Sequence, residues 1–374
     1  MVERIMKPKI LFIMHMPPPV HGAAMMGQYV HDSELINEKF ECHYINPSLS
    51  TSVGDVGKFS LKKLLIFFRT LFKVYTTIKR LKPELCYYTA TTNGYGIYRE
   101  ALMILTLKIA RQKILLHLHN KGVREFSKKP FTTLPYKIMF SKVKVILLAK
   151  ELYADVQKFV QKEDIYYCPN GIPITNFDNY RRTLTNDSYT FLFLSNMIEE
   201  KGVVTLLEAC AVLSQKGISY KCNFVGKWSN VTEERFNNLI KELGISDNVR
   251  YLGAKYGNDK ISMLKNADSL VFPTFYQGET FGLVLLEAME YGMPCISTFE
   301  GGIPSVLDDN KTGFLVHARD VHTLAEKMQW LVNNPDEGLK MGDLGRQKFL
   351  KEFTLDKFEK HLCDILDKEV KRPR

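Results

Sequence analysis

Two acidic residues eight positions apart, Glu279 and Glu287, sit in the apolar stretch FYQGETFGLVLLEAMEYGMP of residues 275–294. Glu287 stands between Leu286 and Ala288, where a carboxylate needs hydrogen-bond donors because burying it without them is costly. The run SLVFPT (269–274) reads as a strand, so the loop after Thr274 leads into a helix expected to start near Phe281. The main-chain N–H groups of Phe281, Gly282 and Leu283 are then first-turn donors, suited to an anion such as a phosphate. Glu279 either caps this helix or meets whatever those donors hold. Glu287, about two turns in, either forms an internal ion pair or accepts from the vicinal hydroxyls of a ribose, as acidic residues do in dinucleotide sites.

Three other places carry polar chemistry next to a strand end. Lys201-Gly202 opens a helical pattern after the strand-end residues Ser195 and Asn196. An ammonium there opposes the helix dipole unless a phosphate lies between them; the plain alternative is a solvated lysine. His117 and His119 close the run LLHLHN, and strand alternation puts both on one face. His119, nearer the carboxyl end, is a candidate ligand or general base, against a purely structural role. Gly22 and Gly27 have the G-x4-G spacing of a phosphate loop, but Gln28-Tyr29 replace the Lys-Ser/Thr that such a loop requires. The loop either lets main-chain N–H groups approach a ligand or is an ordinary strand-to-helix turn.

Elements able to hold these residues alternate along the chain. KILFIM (9–14), ELCYYT (84–89), KILLHLH (113–119), KVILLA (144–149) and IYYCPN (165–170) read as strands with helical stretches between several of them. After a linker from Ile172 to Ser188 the pattern restarts with YTFLFLS (189–195), YKCNFVG (220–226), VRYLG (249–253), SLVFPT and PCIST (294–298). Continuous rather than alternating hydrophobicity suits parallel strands covered on both faces. Gly301-Gly302-Ile303-Pro304 and the segment 312–316 read as turn signals at strand ends. Two βαβα blocks predict an α/β protein of two doubly wound Rossmann-like domains facing across a cleft, with ligands at the carboxyl ends of the strands. The expected limits are 1–175 and 189–350, with 351–374 a C-terminal helix packing back on the N-terminal domain.

Composition narrows the function classes. The 374 residues exceed a single core. Ile10 to Met14 is too short for a secretory signal, and no window reaches the roughly 18 apolar residues of a membrane span, so a cytoplasmic location is expected. Seven dispersed cysteines without a C-x-x-C pair read as reduced, buried thiols, with no metal and no cofactor expected. The net charge of +10 calls for an anionic partner. No zinc-finger, RNP-like or helix-turn-helix signature is present, so nucleic acid is not expected.

The segment ETFGLVLLE, from Glu279 to Glu287, resembles the E-x7-E motif of the retaining glycosyltransferases of family 4, which have the GT-B fold. The resemblance extends through 271–298, through FEGGIPSVLDDNKTGFLV (299–316), EEKGVVTLLEA (199–209) and CPNGI (168–172). It covers most of residues 190–335 specifically and the N-terminal block more loosely. It implies that Glu287 binds the ribose, Glu279 contacts the donor sugar, and the main chain at Phe281, Gly282 and Leu283 receives the diphosphate. It further implies that Lys201 pairs with the phosphates, Gly22 meets the diphosphate from the other domain, and His119 serves the acceptor side. The family often has an arginine five residues before that lysine, where this chain has Asn196. The implied activity is metal-independent transfer of a hexose from a UDP- or GDP-sugar to a glycan or lipid-linked acceptor in cell-surface polysaccharide synthesis. Two readings remain beside it: a GT-B nucleotide-sugar epimerase and a non-catalytic nucleotide-sugar-binding protein.

One segment points to a surface instead. In KFSLKKLLIFFRTLFKVYTTIKRLK (58–82), Leu61, Leu64, Leu65, Phe68, Leu71, Phe72, Tyr75 and Ile78 recur at helical spacing beside a stripe of Lys58, Lys62, Arg69, Lys73 and Arg80. A basic amphipathic helix of this kind can lie in the headgroups of an anionic bilayer, which would make the protein peripheral at the inner membrane face. The plain alternative is a helix packed on the first sheet.

Overall fold

The computed structural model describes residues 7–18, 22–47, 61–175, 183 and 188–373. Most of the expected linker and Lys58 lie outside them. The chain forms two compact units, Met1–Asn170 with Leu355–Arg374, and Gly171–Thr354.

The first unit is built on a six-stranded parallel sheet of β1 (Lys9–Ile13), β2 (Glu41–Ile45), β3 (Leu85–Thr89), β4 (Ile114–Leu118), β5 (Lys144–Leu147) and β6 (Ile165–Tyr167). Its spatial order is β2-β1-β3-β4-β5-β6. The continuous apolar runs at β3 and β4 are buried at every position, as strands covered on both faces must be. β2, absent from the apolar runs named for the sequence, is an edge strand whose ECHYI sequence is buried only at Ile45.

The helix Leu61–Leu81 packs on this unit through Phe67, Val74 and Ile78, spaced seven and four apart. The residues grouped as its apolar stripe divide differently: Ile78 is buried, whereas Leu64, Leu65, Phe68, Phe72 and Tyr75 are exposed. The last helix, Leu355–Lys371, buries Phe358, Leu362, Ile365 and Leu366 in the same unit. Lys113 Nζ donates to the carbonyls of Glu369 and Val370 at 3.2 and 2.8 Å, placing a cation on the helix C-terminus, where the dipole favours it.

The second unit repeats the plan with β7 (Tyr189–Leu194), β8 (Tyr220–Val225), β9 (Val249–Tyr251), β10 (Ser269–Phe272), β11 (Cys295–Thr298) and β12 (Gly313–Val316). The order is β12-β11-β10-β7-β8-β9, all parallel. β12 corresponds to the segment expected to be a turn signal. It is four residues long, pairs in parallel with β11 along its whole length and is buried at every position. Phe193 contacts Phe224 and Phe272 at ring separations of 5.2 and 6.4 Å, joining three strands in the core. All seven cysteines are free, six of them buried. Among the described residues no helix is long and apolar enough to cross a membrane.

Candidate functional site

Three loops meet at the carboxyl edge of the second sheet. The loop after β7 ends in a 3-10 turn, Glu199–Lys201, and passes through Gly202 into the helix Val203–Gln215. The loop after β10 is tied to it, because Phe275 N–H donates to the Glu200 carbonyl at 2.7 Å. The loop after β11 closes on the other side, with Gly302 N–H donating to the Thr280 carbonyl at 2.9 Å. Gly301 lies so close that a Cβ there would sit 2.3 Å from the Glu279 carbonyl oxygen. The Gly301-Gly302 pair therefore permits main chain to press against main chain and fixes where Glu279 stands.

Within this frame Lys201 Nζ lies 2.6 Å from Glu279 Oε2, both side chains less than one-fifth exposed. The ammonium is also 4.5 Å from the centre of the Tyr276 ring and 5.6 Å from that of Phe272, so aromatic faces add to its stabilisation. The other carboxylate oxygen, Oε1, accepts from Gly282 N–H at 3.0 Å. Glu279 thus caps the following helix and neutralises Lys201 at once. That helix, Leu283–Glu290, begins two residues later than the apolar pattern suggests, because Gly282 adopts a left-handed N-cap conformation. Phe281 lies before the helix, buried and edge-on to Phe353. Of the three expected main-chain donors, that of Gly282 is taken by Glu279, and Leu283 opens the first turn.

Glu287 makes an ion pair with Lys260 at 2.9 Å, both side chains a quarter to a third exposed. Lys260 comes from the helix Gly257–Asn266, a partner that sequence spacing did not indicate. Glu290, one turn on, is buried and accepts from Thr175 N–H and, at 2.9 Å, from Thr175 Oγ1. Nothing local in the sequence separates it from Glu287, since its partner lies more than a hundred residues away.

In the first unit the two histidines share a face, their rings 4.1 Å apart. His117 is fully buried, and its Nδ1 is 2.6 Å from the Tyr87 hydroxyl. Burial, and then the neighbouring His119, hold its pKa well below the usual histidine value, so it is neutral. His119 follows β4 at the carboxyl edge and is partly exposed. Gly22 is the exposed first residue of the helix Gly22–Asp32. Gly27 has a packing role: a Cβ there would sit 2.0 Å from the His15 carbonyl oxygen, so the helix lies against the chain after β1. Among the described residues no three His, Cys, Asp or Glu side chains gather in a way that could hold a metal ion.

Residues 176–348 match the family model of glycosyl transferases group 1. The putative colanic acid biosynthesis glycosyltransferase WcaL of Escherichia coli is 26% identical over 275 residues, 71% of this chain and 67% of WcaL. The capsular polysaccharide biosynthesis glycosyltransferase CapM of Staphylococcus aureus is 29% identical over 55% of this chain, and the match spans about half of CapM (53%). The crystal structure of Anabaena HepE in complex with UDP superimposes with a TM-score of 0.73 at 16% identity, covering 96% of this chain and all of that one (100%). The fold is GT-B, two α/β units each on a parallel sheet, and the group 1 match over the second unit supports a glycosyltransferase.

Proposed function

We propose that the protein is a retaining glycosyltransferase that moves a sugar from a nucleoside diphosphate to a glycan or lipid-linked acceptor in the synthesis of a cell-surface polysaccharide. The observation that carries this reading is the Lys201–Glu279 pair beside the N-terminus of the helix Leu283–Glu290. In the proposed reaction the bond between the anomeric carbon and the β-phosphate oxygen breaks, and its electron pair stays on the phosphate. Lys201 and the helix N-terminus stabilise that charge. The acceptor hydroxyl attacks from the face the phosphate leaves, passing its proton to a phosphate oxygen, so configuration is retained. Glu279 contacts the donor sugar, Glu287 the ribose, Gly22 the diphosphate, and His119 the acceptor. No step calls on a metal ion.

Lys227 is assigned the phosphate contact that Asn196 cannot make. Met197 N–H donates to the Lys227 carbonyl at 2.7 Å, which sets the Lys227 main chain beside the end of β7, and its ammonium lies 5.7 Å from the centre of the Tyr256 ring. The relatives WcaL and CapM, named for colanic acid and capsular polysaccharide, support the pathway class, and HepE, solved with UDP, supports the donor class. The helix Leu61–Leu81, with Arg69, Lys73 and Arg80 exposed, is assigned to an anionic membrane surface.

The test is calorimetry with UDP and GDP in EDTA. Binding of one of them is expected, and failure of both would overturn the reading. Lys201→Ala should weaken that binding by roughly ten- to a hundredfold, the ~1.5–3 kcal/mol of a hydrogen bond to a charged group. Lys227→Ala should weaken it less, and more at low salt than at high salt.

A further inference from the structure

The exposed side of the helix Leu61–Leu81 does not stand alone. The helix Ile97–Ile109 packs beside it and also packs on the helix Thr133–Phe140. Leu102, Leu105 and Ile109 point outward from the middle helix, Ile109 being 68% exposed. Phe131 and Leu134, 88% and 65% exposed, continue the surface, and the Tyr98 hydroxyl joins the two segments by donating to the Phe131 carbonyl at 3.3 Å. Monomers rarely leave so many large apolar side chains open on one face unless that face has a partner.

Charge identifies the partner. The helices Leu61–Leu81 and Thr133–Phe140 contain no acidic residue, and Ile97–Ile109 contains only Glu100. Glu100 is 1% exposed and is held by Arg99 at 2.7 Å and by the Tyr88 hydroxyl, so it offers no negative charge to the surface. Arg69, Lys73, Lys79, Arg111, Lys137 and Lys142 on or beside these helices are exposed. A protein partner would meet this surface with acidic side chains at set positions, whereas a broad apolar face with cations spread along it matches a bilayer with anionic headgroups.

We infer that all three helices form one membrane-docking face, extending the single-helix assignment made above. Each runs opposite to the parallel strands, so each begins at the carboxyl edge of the first sheet. Leu64, Leu65, Tyr98 and Leu134 occupy those beginnings, on the edge where His119 stands. Docking therefore brings that edge to the headgroups, where an acceptor anchored in the same leaflet presents its sugar. Only this last step rests on the glycosyltransferase reading.

The test is co-sedimentation with phosphatidylcholine vesicles, with or without phosphatidylglycerol, at low and high salt. The wild type should favour anionic vesicles, and the preference should shrink in high salt. Phe72→Glu, the pair Leu105→Glu/Ile109→Glu and the pair Phe131→Glu/Leu134→Glu should each lower the partition at least tenfold. Thermal melts identify folded variants, and serine replaces glutamate at any position where folding fails. If only Phe72→Glu matters, the three-helix face is overturned and the single-helix assignment stands. Equal, negligible binding to both vesicle types overturns both, as does a dimer dispersed by the same variants without vesicle binding. If the losses occur as expected in a protein that binds neither UDP nor GDP, the face stands and the glycosyltransferase reading fails.

Discussion

Glu279 joins two duties that are usually separate, capping a helix through one oxygen and neutralising a lysine through the other. Under the proposed function, an incoming diphosphate must share or take Lys201 from this carboxylate. Removing the negative charge should therefore leave nucleotide binding intact while harming transfer. Glu279→Gln is expected to bind UDP or GDP as well as the wild type or a few-fold tighter, yet to turn over at least a hundredfold more slowly. Calorimetry beside initial rates decides it, and a parallel fall in both would show that Glu279 serves binding alone. His117 gives a different signal. Its imidazole stays neutral when folded but takes up a proton near pH 6.5 when unfolded. The unfolded state then binds more protons, so stability should fall as pH drops below about 6.5, by up to about 1.4 kcal/mol per unit. Urea midpoints between pH 7.5 and 5 should show this slope, and His117→Asn should flatten it.

The sites that sequence could reveal are those in which local spacing and tertiary position agree. Lys201 and Glu279, read separately as phosphate and sugar contacts, lie 2.6 Å apart because main-chain bonds tie the loops after β7 and β10 together. The fully buried strands β3, β4, β10 and β11 were legible as apolar runs, whereas β12, buried at all four positions, reads as a turn signal because it is short and opens on glycine. β2 was not legible, since an edge strand needs only one covered face and its polar residues hide it. The helix start was misplaced by two residues because apolar content marks burial rather than backbone conformation, and Phe281 is buried before the helix begins. Partners such as Lys260 for Glu287 or Thr175 for Glu290 depend on how distant segments of the chain pack, which no window of residues encodes. Gly301 tests the loop-on-loop contact. Its φ is 57°, and an added Cβ would meet the Glu279 carbonyl oxygen at 2.3 Å, so Gly301→Ala faces both backbone strain and a clash. It should lose about 2–4 kcal/mol in urea unfolding, whereas Gly217→Ala, at φ 69° with nothing within 4 Å, should lose only about 1–2 kcal/mol. Equal losses would mean that the loop moves aside freely.

At the scale of the whole molecule, the first unit is made from two separated parts of the chain. Deleting Leu355–Arg374 would uncover the sites filled by Phe358, Leu362, Ile365 and Leu366 and remove the helix carbonyls bonded by Lys113 and the Glu369 carboxylate bonded by Tyr166. Each of those apolar side chains contributes about 1.5–3 kcal/mol by burial, so the loss approaches the whole stability of an ordinary domain. Limited proteolysis of the truncated chain should digest the first unit and leave a fragment close to residues 171–354. The same interleaving sets an order of events on the ribosome. The second unit is contiguous and has every strand it needs once Thr354 leaves the exit tunnel. The first unit is translated earlier but waits for the final helix, so the side of its sheet that this helix helps to cover stays incomplete until then. Its earliest companions in the cell are therefore whatever shields that side, and the oldest part of the nascent chain is the last to mature.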